Sequence, residues 1–351
     1  MTEEIFPGIY TFDLEDSRNP STSRIHIYVI KGAAGERSLM IDAGYKDPVS
    51  VRRAREALES LGIPVSALDI FLTHKHPDHT GLCSYYAGLG ARIFLNPEED
   101  VRAYDCLYYN DTAEALREQR IVHAQIGITD NLQPLLMERM QKLNEEIHRP
   151  GADTLFNEKR DYPLQPIRDG QEFACGAYHF RAIALPGHTI GHMGLCEEAH
   201  KLFFPGDHLL GGMISTVSTS YMDVHMLRRY LTSLQLLEKD YEDYTYLPAH
   251  GDRFTELLPV LLRSREHYDK KCEQLLGIMT EIDVPITVTQ AAFLLYRMPE
   301  EEGPEDITQL KLILTKTFSL MEYLYDSGRC RRILREGTLY YALPGKAGTE
   351  S

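Results

Sequence analysis

The segment Thr73-His74-Lys75-His76-Pro77-Asp78-His79-Thr80-Gly81 places three histidines and an aspartate within six positions, directly after an apolar run. Alternate residues of an extended chain point the same way, so His74 and His76 can face one ion. The chain then turns into a helix, which can aim Asp78 and His79 at a second ion. Imidazole and carboxylate donors together suit zinc, iron or manganese. An isolated pair of histidines would more simply be a solvated turn. Here three further segments repeat the placement: Pro186-Gly187-His188-Thr189, Gly206-Asp207-His208 and Ala249-His250-Gly251. Each closes an apolar run and puts a candidate ligand where a strand ends, the place at which αβ architectures keep their sites.

The elements that must hold these residues are legible in outline. Short β-type runs cover Ile9 to Leu14, Ile25 to Ile30, Ser38 to Asp42 and Leu68 to Thr73, with a helix predicted from about Pro48 to Leu61. A second αβ unit follows from about His79 to Leu95. From about 97 to 166 the pattern turns helical and tyrosine-rich, with no clear strand. Strands return at Glu172 to Cys175, Tyr178 to Leu185, Met193 to Glu197 and Lys201 to Pro205. A helix is predicted over Asp223 to Lys239 and a last short strand over Thr245 to Pro248. Each half runs strands first and then helix, which predicts an α/β fold of two packed sheets with helices outside, an αββα sandwich. After His250 helices dominate, from about Thr255 to Gly277, from about Thr287 to Tyr296 and on to about Asp326. Two β-like runs, Arg331 to Leu334 and Thr338 to Leu343, close the chain. That order is winged-helix-like.

The order HxHxDH, PGHT, GD and AHG, with the strand Leu39-Met40-Ile41-Asp42-Ala43-Gly44 ahead of it, resembles the metallo-β-lactamase superfamily, and within it the hydroxyacylglutathione hydrolase branch. The resemblance covers about residues 5 to 255 except the helical stretch. It implies a catalytic domain over 1–255 carrying a helical insertion at about 97–166, and a C-terminal helical, winged-helix-like domain over 256–351. It also implies that His74, His76 and His188 hold one ion, that Asp78, His79 and His250 hold the other, and that Asp207 bridges them. Asp42 would anchor the ligand loop without touching metal. Cysteine is absent where three-histidine β-lactamases carry it, because that position is Asp207. Glutamate is absent where flavodiiron proteins carry it, because that position is His76.

Two ions about 3.5–4 Å apart would supply a bridging hydroxide near neutral pH and polarise a carbonyl. We therefore expect a binuclear hydrolase, with zinc the first choice of metal and iron or manganese the alternatives, and with Asp78 as catalytic residue. The substrate is expected to be a small thioester, ester or lactone. Tyr104, Tyr108 and Tyr109 in the insertion, with Tyr221 and His208, are candidate substrate contacts. His192 lies beside a ligand and is a candidate supporting residue. His26, His123, His148, His179, His200, His225 and His267 have no motif around them and read as surface or capping residues.

The alternatives are a metal-dependent ribonuclease or phosphodiesterase, a single-iron dioxygenase of thiol persulfides, and a non-catalytic metal clamp. A formal charge of −15 over 351 residues argues against phosphate-backbone binding. Arg329, Arg331, Arg332 and Arg335 cluster near the last hairpin, yet residues 255–351 hold 12 Lys+Arg against 15 Asp+Glu. Nucleic acid is thus not expected as a partner; a small-molecule substrate and a homodimer are. No apolar run reaches the roughly 20 residues of a membrane span. The six cysteines form no CxxC pair and the N-terminus is acidic, so we expect a cytoplasmic protein with reduced thiols.

Overall fold

A computed structural model describes residues 2–17, 24–100, 121–128, 162–298 and 307–345, together with helical positions 117, 138, 142 and 145. The first sheet has seven strands in sequence order: β1 (Glu3–Phe6), β2 (Ile9–Leu14), β3 (Ile25–Ile30), β4 (Ser38–Ile41), β5 (Leu68–Phe71), β6 (Arg92–Leu95) and β7 (Leu164–Pro166). It is antiparallel up to β4 and parallel from β4 to β7. The second sheet has five strands, β8 (Glu172–Cys175), β9 (Tyr178–Ala184), β10 (Met193–Glu197), β11 (Leu202–Phe204) and β12 (Thr245–Tyr246), in reverse spatial order.

Strand alternation sorts the side chains into layers. Leu39 and Ile41 of β4 and Phe71 of β5 point between the sheets, where they meet Phe180 and Ala182 of β9 and Leu202 and Phe204 of β11. Met40, Leu68 and Ile70 point the other way, against Ala54 and Leu58 of helix α1 (Pro48–Ser60). Ile183 and Phe203, on the outer face of the second sheet, pack on Leu227, Tyr230 and Leu234. Those three lie on a later helix, Met226–Asp240. The result is an αββα sandwich. Helix α1 is set by local chemistry: Pro48 occupies its first turn and the Asp47 carboxylate accepts the Val49 N–H at 2.8 Å. Two short helices, α2 (Pro77–Thr80) and α3 (Cys83–Gly88), follow β5. The Met226–Asp240 helix is α4.

Beyond it lie α5 (Leu257–Ile282), α6 (Val288–Tyr296) and α7 (Ile307–Asp326), with a small antiparallel sheet of β13 (Ile286–Thr287), β14 (Arg331–Arg335) and β15 (Thr338–Ala342). Leu261, Leu275, Leu310, Phe318 and Tyr341 from this C-terminal region share one core with Tyr230 and Leu234 of α4.

Three short strands, β1, β7 and β13, escape the sequence pattern. β7 carries Gln and Pro within three residues, and β13 has only two, so neither shows a period. The strand at 164–166 also corrects the expectation that the whole stretch to 166 is strandless. α4 begins at Met226 rather than Asp223, because Asp223 and His225 adopt left-handed backbone with φ of 58° and 55°. α5 runs past the expected end at Gly277, a helical glycine with nothing crowding it. Tyr104, Tyr108, Tyr109 and most of the expected insertion lie outside the described residues. Among its described residues, 121–128 pack inward: Ile126 is buried and its carbonyl accepts the N–H and hydroxyl of Thr289 in α6.

Candidate metal centre

The strand ends deliver the site. β4 ends at Asp42, β5 runs into His74, β9 leads to His188 and β11 to Asp207, while His250 follows β12. Ligand atoms of His74, His76, His188 and Asp207 all lie within 4.8 Å of one another, and so do those of Asp78, His79, Asp207 and His250. The structure therefore brings together all seven residues singled out from the motifs, in two groups that share Asp207. The carboxylate of Asp207 is divided between the groups. Its Oδ2 is 3.6 Å from His188 Nε2, and its Oδ1 is 3.4 Å from His79 Nε2 and 3.5 Å from His250 Nε2.

Four of the five imidazoles are oriented from behind. His79 Nδ1 is 2.8 Å from Asp42 Oδ2, His188 Nδ1 is 2.8 Å from the Thr216 carbonyl, and His250 Nδ1 is 2.8 Å from the Arg24 carbonyl. A carbonyl only accepts, so Nδ1 carries a proton in His188 and His250, and it is their Nε2 atoms that face the centre. His74 Nδ1 is 3.0 Å from the Thr73 hydroxyl. Asp42 in turn accepts the Thr73 N–H at 2.8 Å, which ties the end of β5 to the loop after β4. That placement agrees with an anchoring role that leaves the metal groups to others.

Metal fits this arrangement. His74 Nε2 and His188 Nε2 each lie 2.9 Å from His76 Nδ1. Burial, reinforced by the neighbouring imidazoles, holds His74 well below its usual range, and burial with His188 beside it brings His76 down to about 3. His74 Nε2 and His188 Nε2 both converge on the one His76 nitrogen, a crowding of neutral donors that a shared cation would relieve. In the other group burial again opposes charge, but Asp42, Asp78 and Asp207 outweigh it and lift His79 well above its usual range. Asp207 and Asp78 raise His250 likewise. Against burial, His79 and His250 hold the Asp78 carboxyl at about 2. The carboxylates thus favour positive charge at this group. His79 Nε2 and Asp207 Oδ1 are buried without a well-formed hydrogen bond, which suits atoms waiting for a metal.

Behind the ligands stand supporting residues, most of which the sequence did not reveal. His192 is fully buried, stacks on His74 at 5.0 Å between ring centroids, and its Nε2 accepts the Asp207 N–H at 3.2 Å. Glu99 is fully buried and bridges the two ligand loops, accepting the Lys75 N–H at 3.1 Å and the Gly191 N–H at 2.5 Å. Ser215 donates to the Asp207 carbonyl at 2.6 Å and lies 3.2 Å from His188 Nδ1. Only the neighbourhood of His192 to His188 gave a signal; Glu99 and Ser215 sit in no motif. His26, expected on the surface, is half-buried and spans from Asp13 at 2.7 Å to the Gly251 carbonyl at 2.9 Å, bracing the turn after His250. His123 is buried as well. His208 corrects a different expectation. It has no solvent exposure and packs 4.7 Å from the Tyr230 ring, so it offers no surface to a substrate. Tyr221 is partly buried, and its backbone N–H donates to the Thr219 hydroxyl at 3.1 Å.

A family model described as the metallo-beta-lactamase superfamily matches residues 22–250. The chain belongs to that superfamily. It has the superfamily's α/β fold. It is 24% identical over 255 residues to the lactamase-like protein adaB of Aspergillus niger, covering 73% of this chain and 59% of the relative. The chain thus spans about three-fifths of the length of that relative. It is 26% identical to an atrochrysone carboxyl ACP thioesterase of Paecilomyces divaricatus, over 49% of this chain and 50% of the relative. A hydroxyacylglutathione hydrolase of Bdellovibrio bacteriovorus is 25% identical over 53% of this chain and 49% of its own length. Among solved structures, a metallo-beta-lactamase family protein of Thermus thermophilus matches with a TM-score of 0.75 at 22% identity, covering 97% of this chain and 100% of that one. The fold, C-terminal region included, is therefore shared with that protein.

Proposed function

We propose that the protein is a binuclear metal-dependent hydrolase acting on a small thioester, with activated esters and lactones as the neighbouring substrate classes. The observation that carries this reading is the division of the Asp207 carboxylate between two convergent donor groups. His74, His76 and His188 would hold one divalent ion and Asp78, His79 and His250 the other, with zinc the best match to the donor set and iron or manganese accommodated. The pair, when bound, supplies a hydroxide near neutral pH and polarises the scissile carbonyl.

The chain's own residues then have definite tasks. Asp78 is ionised and partly open to solvent, with Oδ2 3.1 Å from His250 Nε2. It is placed to orient the attacking water and take its proton. Asp42 and the Thr216 and Arg24 carbonyls keep the imidazoles aimed inward. A cysteine nucleophile is disfavoured: the described cysteines are buried, and burial pushes the Cys83 thiol up to about 12 and Cys175 to about 11. Thiolate is a good leaving group and needs little acid assistance, which favours thioesters. Two relatives carry names that denote thioester cleavage, an ACP thioesterase and a hydroxyacylglutathione hydrolase.

The C-terminal region we read as winged-helix-like, serving packing rather than nucleic acid, and we propose a homodimer. Leu258 and Leu262, each 45% exposed on α5, are the apolar surface that motivates the latter, and light scattering decides it. No helix among the described residues is long and apolar enough to cross a membrane, and a cytoplasmic setting stays part of the proposal. The activity is tested by turnover of metal-loaded protein on acyl-thioesters, lactones and phosphodiesters, with metal content measured on the same sample. Turnover of phosphodiesters alone would transfer the assignment to the phosphodiesterase alternative.

A further inference from the structure

The segment 212–225, between Asp207 and α4, has neither helix nor strand, yet it touches two of the proposed ligands. The Thr216 carbonyl accepts from His188 Nδ1 at 2.8 Å, and Ser215 Oγ reaches the Asp207 carbonyl at 2.6 Å. Two of its residues, Asp223 and His225, hold left-handed backbone. Locally only the Thr219 hydroxyl on the Tyr221 backbone and Arg229 on the Val224 carbonyl brace this path, so much of it depends on tertiary contacts. The C-terminal region supplies them. Tyr268 of α5 donates its hydroxyl to the Ser215 carbonyl at 2.5 Å. The Thr315 carbonyl of α7 accepts the Thr219 N–H at 3.2 Å. Glu322 accepts the Asp223 N–H at 3.2 Å, Arg332 donates to the Asp223 carboxylate at 3.0 Å, and His225 pairs with Asp326 at 2.7 Å.

We propose that Tyr268 is a positioning residue for the His74–His76–His188 group, acting through Ser215 and Thr216, and that the C-terminal region thereby tunes metal binding. The proposal rests on the two-ion reading above. Tyr268 is buried, and its ring already packs 5.5 Å from that of Tyr230, so the ring needs no hydroxyl to keep its place. The hydroxyl has a separate task. Without it the Ser215 carbonyl is a buried acceptor with no donor from α5, and it turns to find another. The Ser215 carbonyl belongs to the peptide that leads into Thr216, so its rotation changes the Thr216 backbone angles and shifts the next peptide, whose carbonyl faces His188 Nδ1. The imidazole then loses its aim toward His76 Nδ1 and Asp207 Oδ2. His79 and His250 take their backing from Asp42 and Arg24 instead, and Asp207, which the two groups share, meets the segment through its backbone carbonyl.

The test is Tyr268→Phe, which keeps the ring and removes one donor. Zinc-loaded full-length protein is titrated with a competing chelator, and the two dissociation steps are assigned with His188→Ala, which lacks the first site. Partners that orient a ligand are worth about 10–100-fold in metal affinity. The expected result is a loss of that size at the His188 site alone, with a changed visible absorption of the cobalt-loaded protein and a melting temperature of ion-free protein close to wild type. Unchanged affinities overturn the proposal. So does an equal fall at both sites accompanied by a drop in the ion-free melting temperature, since that is general loosening. Should Tyr268→Phe fail to fold, Ser215→Ala is read by the same titration, and two unchanged steps again overturn it. Wild-type protein that binds a single ion refutes the two-ion reading, and the effect of Tyr268→Phe on that one step still decides the role of Tyr268.

Discussion

Asp207 is the residue on which the most chemistry converges, because its two oxygens face different donor groups. Asp207→Ala removes the shared ligand and leaves two cations poorly screened from one another. A catalytic ion contributes several kcal/mol to the transition state, and each 1.36 kcal/mol is tenfold in rate. Activity should fall by about 10³-fold or more, and metal analysis should find at least one equivalent gone. Two full equivalents in this variant would refute the bridging role. The two groups should also differ in their response to pH. In the ion-free protein His79 and His250 are raised by their carboxylate neighbours, whereas His74 and His76 are depressed by burial. A raised imidazole keeps its proton to higher pH and must release it to bind metal; a depressed one gives its proton up at lower pH and has less to release. Affinity at the Asp78–His79–His250 group should therefore weaken as pH falls through neutrality, by up to about tenfold per unit for each proton displaced. The His74–His76–His188 group should stay flat over the same range. Calorimetry in two buffers of different ionisation enthalpy counts the protons, and equal release from both sites would refute the distinction. The ligands themselves were legible because each sits in a short motif at a strand end. Glu99 and Ser215 were not, because each acts across a long sequence separation on backbone groups, and a lone glutamate or serine leaves no pattern.

At the scale of elements, the site depends on how closely loops approach helices. Gly187 begins the turn that carries His188, with φ of 149°. A Cβ there would stand 2.4 Å from the Cα of Tyr230 in α4, against main chain that cannot step aside. Gly187→Ala therefore forces the turn away from α4 and adds backbone strain. It should destabilise the fold by about 1–3 kcal/mol, the usual range for overpacking, and misplace His188 as well. Urea unfolding of ion-free protein measures the first effect and metal content the second; wild-type values for both would show that the turn has room to spare. Sequence alternation identified most of the strands of both sheets because one face of each is apolar and continuous, as in Leu39 and Ile41 against Met40. It missed β7 and β13 because two or three residues are too few for a period, and those strands are placed by their neighbours. The start of α4 was misjudged for a related reason. Asp223 and His225 have helix-compatible side chains nearby in sequence, but their left-handed backbone is held by Glu322 and Asp326 about a hundred residues later.

For the whole molecule the open choice lies between small-molecule hydrolysis and action on nucleic acid, and the C-terminal region is where the two readings differ. Nonspecific nucleic-acid affinity comes mostly from cations that neutralise phosphates. Here the formal charge is −15. The arginines that clustered near the last hairpin are largely engaged within the fold. Arg332 donates to Glu322 at 2.7 Å and to Asp223 at 3.0 Å, and Arg329 pairs with Glu273. Arg335 lies over the Tyr340 ring at 5.9 Å from its centroid. The carboxylates that occupy Arg332 are the same groups that fasten segment 212–225, so freeing it for phosphate would loosen the support of His188. The Arg332 guanidinium is thus committed to carboxylates within the fold instead of to an exposed basic surface. Binding to mixed RNA and to duplex DNA should be weak at physiological salt, and an anisotropy titration across salt concentrations measures it. Arg331→Ala with Arg335→Ala should change it little, and this pair leaves the Arg332 contacts in place. Tight binding that falls steeply with salt and disappears in that double variant would overturn the packing role and favour a nuclease.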